Sequence, residues 1–155
     1  MRVLLDSNIL VRLSRRDDPQ FQVATQSIEA IRRDGHSICL IPQSLREFWV
    51  VATRPRESNG LGLSLSEAKE LRTSFEQLFP TVSDTAEVHV HWLRLIEEPG
   101  ALGKKAHDVG YVAAMQAHGI ESILTFDEGD FTRFAHIINV WTPERCVGEG
   151  RQSQV

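Results

Sequence analysis

Cysteine is scarce in this chain, with Cys39 and Cys146 the only two among 155 residues. That density excludes a disulfide scaffold, and the spacing is not that of a zinc site, so both read as thiols outside any bridge or metal centre. Long apolar runs are lacking as well: nothing approaches the roughly 20 residues a membrane span needs. The apolar start Val3-Leu4-Leu5 is interrupted by Asp6, too soon for a secretory signal, so no membrane association and a cytoplasmic location are expected. Internal repeats, low-complexity tracts and a convincing linker are also missing, which leaves one domain as the expectation. The six histidines are scattered, and His89 and His91 would not share a helix face. Positive charge is in deficit, with a formal net charge of −4, which argues at first against a phosphate-rich partner. Its distribution qualifies that, because short basic clusters occur at Arg15-Arg16, Arg32-Arg33, Arg54-Pro55-Arg56 and Lys104-Lys105. With 41% apolar and 25% charged residues, the rest is the composition of an ordinary globular protein.

What is present is an alternation of short apolar runs with amphipathic stretches. Val3 to Leu5 reads as a buried strand ending at Asp6, and a helix begins over Asn8 to Leu13. Asp17 or Asp18 with Pro19 starts the next helix, which carries Phe21, Ala24, Ile28 and Ile31 on one face and stops before Gly35. Ser37 to Ile41 is a second strand. After Pro42 the residues Leu45, Phe48, Trp49 and Ala52 make a helical stripe that ends before Pro55, with Glu47 off the stripe. Ser64 with Glu67, and Asp84 with Glu87, give two capping-box patterns for further helices. Gly100 to Lys105 reads as a basic loop, and a helix follows from His107 or Asp108 to His118, closed by Gly119. Ile123 to Phe126 is a strand ending at Asp127, Ile137 to Val140 is another, and the residues after Thr142 read as a frayed tail. The pattern is that of an α/β domain spanning residues 1–143, with a central parallel sheet flanked by helices on both faces, and a tail of residues 144–155.

In such a sheet, ligands bind beyond the carboxyl ends of the strands. Asp6 and Asp127 belong there by strand assignment alone, and Asp108 opens a helix on its apolar side. Clustered carboxylates are hard oxygen donors suited to Mg²⁺ or Mn²⁺, and such a site serves phosphodiester hydrolysis by activating water and neutralising phosphate charge. Each acid also has a plainer reading. Asp6 and Asp108 can be N-caps, Glu47 a solvated charge, and Asp127 and Asp130 turn residues.

The segments Leu4-Leu5-Asp6-Ser7-Asn8, Gln43 to Phe48 leading to Ala52-Thr53-Arg54-Pro55, His107-Asp108 through Ala113-Ala114 to Gly119, and Ile123 to Phe131 fall in one characteristic order. From Met1 to about Pro143 the sequence resembles PIN-domain proteins, most closely the toxin ribonucleases of VapBC-type toxin–antitoxin pairs. That resemblance implies a PIN fold, divalent-metal-dependent endoribonuclease activity on RNA, a homodimer, and inhibition by a cognate antitoxin. It also implies that Asp6, Glu47 and Asp108 are metal-site acids. For the fourth the chain departs from the family, whose members commonly separate the last two acids by one residue where here Glu128-Gly129 intervene between Asp127 and Asp130; Asp127 is favoured because it directly follows the strand, with Asp130 as its rival. Ser7, Asn8 and Thr125 match polar positions that orient carboxylates or metal-bound water, and Arg54, Arg56, Lys104 and Lys105 are candidates for contacting the RNA backbone.

Two other phosphoryl-transfer readings fit poorly. A dehalogenase-like phosphatase wants a second Asp where Asn8 stands, and a receiver domain wants a lysine after a late strand, which Thr125-Phe126-Asp127 does not offer. The remaining alternative is a catalytically inactive PIN-type RNA-binding or regulatory module.

Overall fold

The structure, a computed structural model, describes residues 1–98 and 101–152, with side chains through residue 148. Four short parallel strands, β1 (Arg2–Leu5), β2 (Ser37–Cys39), β3 (Ser122–Leu124) and β4 (Asn139–Trp141), pair in the order β2-β1-β3-β4. Alternation along the strands divides the core into two. Leu4, Cys39, Ile41 and Ile123 face a cluster with Val109, Val112 and Met115. Val3, Leu5, Ile38, Leu40 and Leu124 face the opposite cluster, with Ile9, Ile28, Ile31 and Phe48. Burial on both faces explains why these strands are unbroken apolar runs rather than alternating ones.

The helices that cover the sheet are α1 (Ser7–Leu13), α2 (Phe21–Arg33), α3 (Pro42–Thr53), α4 (Leu65–Leu78), α5 (Ala86–Ile96), α6 (Lys105–His118), the short α7 (Glu128–Phe131) and α8 (Pro143–Gln152). Phe48 on α3 meets Phe75 on α4 edge to face, with centroids 5.2 Å apart, and both are buried. Truncating a ring of that kind costs about 3 to 5 kcal/mol. Ser64 and Glu67 cap α4 reciprocally, at 3.2 and 2.8 Å. Gly119 closes α6 at φ +61°, a left-handed conformation that suits glycine. Among the described residues no helix is long and apolar enough to cross a membrane.

Several boundaries differ from the sequence expectation. α2 starts at Phe21, not Pro19, because Asp18 is drawn into a turn by the Gln20 amide at 2.8 Å and into an ion pair with Arg12. α5 starts at Ala86 with Thr85 at its cap position and no side-chain cap, so Asp84 lies one residue before the cap, where it meets Arg46 at 3.4 Å. Of the loop expected over Gly100 to Lys105, Gly100 lies outside the described residues, and Lys105 is already helical, so α6 begins earlier and Asp108 is not its cap. The last strand is displaced to Asn139–Trp141. Residues Pro143–Gln152 are helical rather than frayed; α8 packs on α2, and Cys146 joins the second core cluster.

Candidate active site

Leu5 stands opposite Leu124 in the β1–β3 ladder, so the residues that follow them emerge side by side at the carboxyl edge. The Asp6 amide donates to the Leu124 carbonyl at 3.0 Å, and Thr125 Oγ1 donates to Asp6 Oδ2 at 2.7 Å. Asp6 occupies the N-cap position of α1 but accepts no side-chain cap bond. Its carboxylate instead takes Asn8 Nδ2 on Oδ2 at 3.1 Å and Ser7 Oγ on Oδ1 at 3.3 Å.

Glu47 reaches the same place from α3. Ser44, one turn earlier, is fully buried and donates from Oγ to the Leu5 carbonyl at 2.9 Å. That bond pins the start of α3 to the end of β1 and carries Glu47 over the sheet edge. Ser7 Oγ then bridges Asp6 and Glu47, lying 3.1 Å from Glu47 Oε2. Tyr111 on α6 donates to the same oxygen at 2.9 Å and accepts the Ser7 amide at 3.2 Å. Gln43 Nε2 completes the set with Glu47 Oε1 at 2.8 Å and the His107 carbonyl at 2.7 Å, which ties α3 to α6.

Asp108, half-buried on α6, feels this charge. Its pKa is pushed up to about 6, first by burial and then by Asp130, Asp6 and Glu47 in that order. The carboxyl of Asp6, 7% exposed, is likewise pushed up to about 6, by burial above all and by Glu47, against the opposing hydrogen bond from Thr125. Burial and the same two acids hold the Tyr111 hydroxyl well above its usual range. Among the described residues none of Asp6, Glu47, Asp108, Asp127 and Asp130 has a lysine or arginine ion partner. Asp6 and Glu47 are thus held by neutral donors alone, and their charge and that of Asp130 act on Asp108. Among the described residues, no three His, Cys, Asp or Glu side chains already stand at ion-holding separation, so they do not form a closed cage.

The two rivals for the last acid behave differently. Asp127 is exposed, and its Oδ2 accepts Asn8 Nδ2 at 3.0 Å while its amide donates to Thr125 Oγ1. Asp130, on α7, is the strongest charge acting on Asp108. Ser7, Asn8 and Thr125 all contact the acids. Of the four basic candidates, Arg54 donates to the Asn59 carbonyl and Arg56 to that of Leu61, so both brace the 54–63 loop, and Arg56 also acts on Asp17 and Glu67. Lys104 and Lys105 are exposed at the start of α6, four and three residues before Asp108 in the chain. Gln43 and Tyr111 escaped the sequence reading, although their spacing to Glu47 (i, i+4) and Asp108 (i, i+3) on their helices was available as a signal.

A parallel α/β sheet with acids gathered at the carboxyl edge defines a class of phosphate-chemistry folds. Within it, the PIN domain family profile matches residues 3–137, and the chain belongs to that family. No curated protein sequence matches. Among solved structures, VapBC2 from Rickettsia felis, bound to a fragment of its promoter DNA, aligns with TM-score 0.66 and 14% identity over 92% of this chain and 98% of that one. A toxin–antitoxin complex from Klebsiella pneumoniae gives 0.63 and 22% over 91% and 97%. VapC20 from Mycobacterium tuberculosis, described as a toxin cleaving the sarcin-ricin loop, gives 0.60 and 13% over 83% and 92%. At these identities the likeness is one of fold.

Proposed function

We propose that this protein is a divalent-metal-dependent endoribonuclease, acting as the toxin of a cytoplasmic toxin–antitoxin pair. What supports the reading is that Asp6 and Glu47 share Ser7 at the sheet edge, that both act on Asp108 together with Asp130, and that among the described residues none has a lysine or arginine ion partner; burial first and the neighbouring acids second raise the Asp6 and Asp108 carboxyl pKa values. Carboxylate oxygens are the donors a hard cation takes, and these side chains would draw together around it, since among the described residues no three already stand at ion-holding separation. Asp6, Glu47 and Asp108 would hold Mg²⁺ or Mn²⁺ with an acid from the Asp127–Asp130 turn; the charge acting on Asp108 favours Asp130, and Asp127 serves to orient Asn8. Bound there, the ion would supply a more acidic water and charge neutralisation at the phosphate.

The chain's own groups have distinct tasks. Ser7, Asn8 and Thr125 fix the Asp6 carboxylate, and Ser7, Tyr111 and Gln43 fix Glu47, so both acids are held before substrate arrives. Asp108 and Asp130, more open to solvent, remain accessible to a phosphodiester. Lys104 and Lys105 would guide the RNA backbone without reading sequence. The antitoxin partner is supported by what the similar solved complexes are described as. A homodimer is supported by apolar side chains left exposed on α5, Val90 at 65% and Leu93 at 46%.

The test is cleavage of a mixed RNA pool with and without Mg²⁺ or Mn²⁺, alongside Asp6→Asn and Asp108→Asn. Metal-dependent cleavage lost in both variants is expected. RNA bound but left uncut by all three proteins would establish the inactive binding-module reading instead.

A further inference from the structure

Beside the acids, α3, α5 and α6 enclose an open cleft of about 360 Å³. Its wall on α5 is aromatic: the His89 and Trp92 rings lie within 14° of parallel, with centroids 6.4 Å apart. Trp92 is held in place because its Nε1 donates to the Ala106 carbonyl at 3.1 Å. The wall toward the acids is the Gln43 side chain, the same amide that donates to Glu47. Gly110 allows it to lie there, since a Cβ at that position would come within 2.3 Å of Gln43 Oε1. At the mouth, Arg46 meets Asp84 at only 3.4 Å with both side chains half or more exposed, so its guanidinium can turn to another anion at little cost.

A flat aromatic face, an amide and a cation, one side chain away from the acids, match the parts of a nucleotide: a base to stack, an edge to hydrogen-bond and a phosphate. The volume lies in the range of small-ligand sites and is too small to bury a partner's helix or strand. We infer that this cleft binds the base of a nucleotide flanking the scissile phosphate, stacked against Trp92 and His89, with Arg46 on the adjoining phosphate. The inference rests on the nuclease reading for its position in the reaction, but not for its ligand.

Two measurements test it separately. In the first, isotope-labelled protein is titrated with each nucleoside 5′-monophosphate while the Trp92 indole N–H resonance is followed, with Trp49 and Trp141 as internal controls. A saturable shift confined to Trp92 by at least one nucleotide, with Kd raised roughly tenfold in His89→Ala and in Arg46→Gln, is expected. No shift, or equal movement of all three indoles, overturns the assignment. In the second, oligoribonucleotides carry a single abasic ribose at successive positions. KM rises roughly tenfold when the gap adjoins the cleavage point, and His89→Ala abolishes that difference. Equal KM for every substrate overturns the cleft while leaving the nuclease reading intact. If no RNA is cut but the Trp92 titration behaves as expected, the nuclease reading falls and the nucleotide site stands.

Discussion

Asp6 illustrates how strongly one residue's chemistry depends on its neighbours. With a carboxyl pushed from 3.8 to about 6, it binds its proton more tightly folded than unfolded. Between about pH 4 and pH 6 the metal-free protein should therefore lose stability as pH rises, and above pH 6 the full penalty, about 2 to 3 kcal/mol, is in force. Asp6→Asn removes the charge and can keep its oxygen toward Thr125 and Asn8. Denaturant melts without metal should find this variant more stable than the parent at pH 7.5 and nearly equal to it at pH 4; a pH-independent difference would count against burial and charge crowding as the cause. The candidate acids Asp6, Glu47 and Asp108 were legible because each recurs in a recognisable segment. Tyr111 and Gln43 were not, because helical spacing to Asp108 and Glu47 is a weak signal that becomes decisive only once α3 and α6 are packed together. Asp127 and Asp130 could not be told apart in the sequence, because the turn into α7 sets which of their charges acts on Asp108.

At the scale of elements, local chemistry succeeded where no distant partner competed. Ser64 and Glu67 cap α4 as the pattern predicts, and Ser64→Ala should cost about 1 kcal/mol in a chemical melt. Asp84 and Glu87 show the same pattern, but α5 starts one residue later, so Thr85 and not Asp84 stands at the cap position. The helix α8 was missed because it carries few apolar side chains and is held by packing on α2, and the start of α6 at Lys105 was missed because Lys104 and Lys105 are exposed and add nothing to an apolar stripe. The contact between α3 and α6 suggests a sharper test. In Gly110→Ala the new methyl meets the far end of a flexible side chain, so the fold should persist while Gln43 is displaced from Glu47. Thermal stability within a few degrees of the parent, with RNA cleavage reduced roughly tenfold, is expected; unchanged cleavage would mean that Gln43 does not orient Glu47.

For the whole molecule, the fold was readable because continuous apolar strands alternating with helical stripes admit few arrangements other than a parallel sheet covered on both faces. Strand order was not readable, since it depends on which crossovers pack, and it is the β1–β3 pairing that sets Asp6 against Thr125. In a chain of net charge −4, the proposed RNA contact has to come from locally clustered cations. Replacing Lys104 and Lys105 together by glutamine should lower the slope of log K against log salt by about 1 to 2, measured on cleavage-inactive Asp6→Asn protein. An unchanged slope would make them ordinary surface charges. The central claim is that the fold gathers these carboxylates into a cation site, and Mn²⁺ titration followed by water-proton relaxation tests it directly. Saturable binding at neutral pH, weakening as pH falls below 6 and lost in Asp6→Asn and Asp108→Asn, is the predicted result; binding absent from the parent protein, or unaltered by both substitutions, would contradict it.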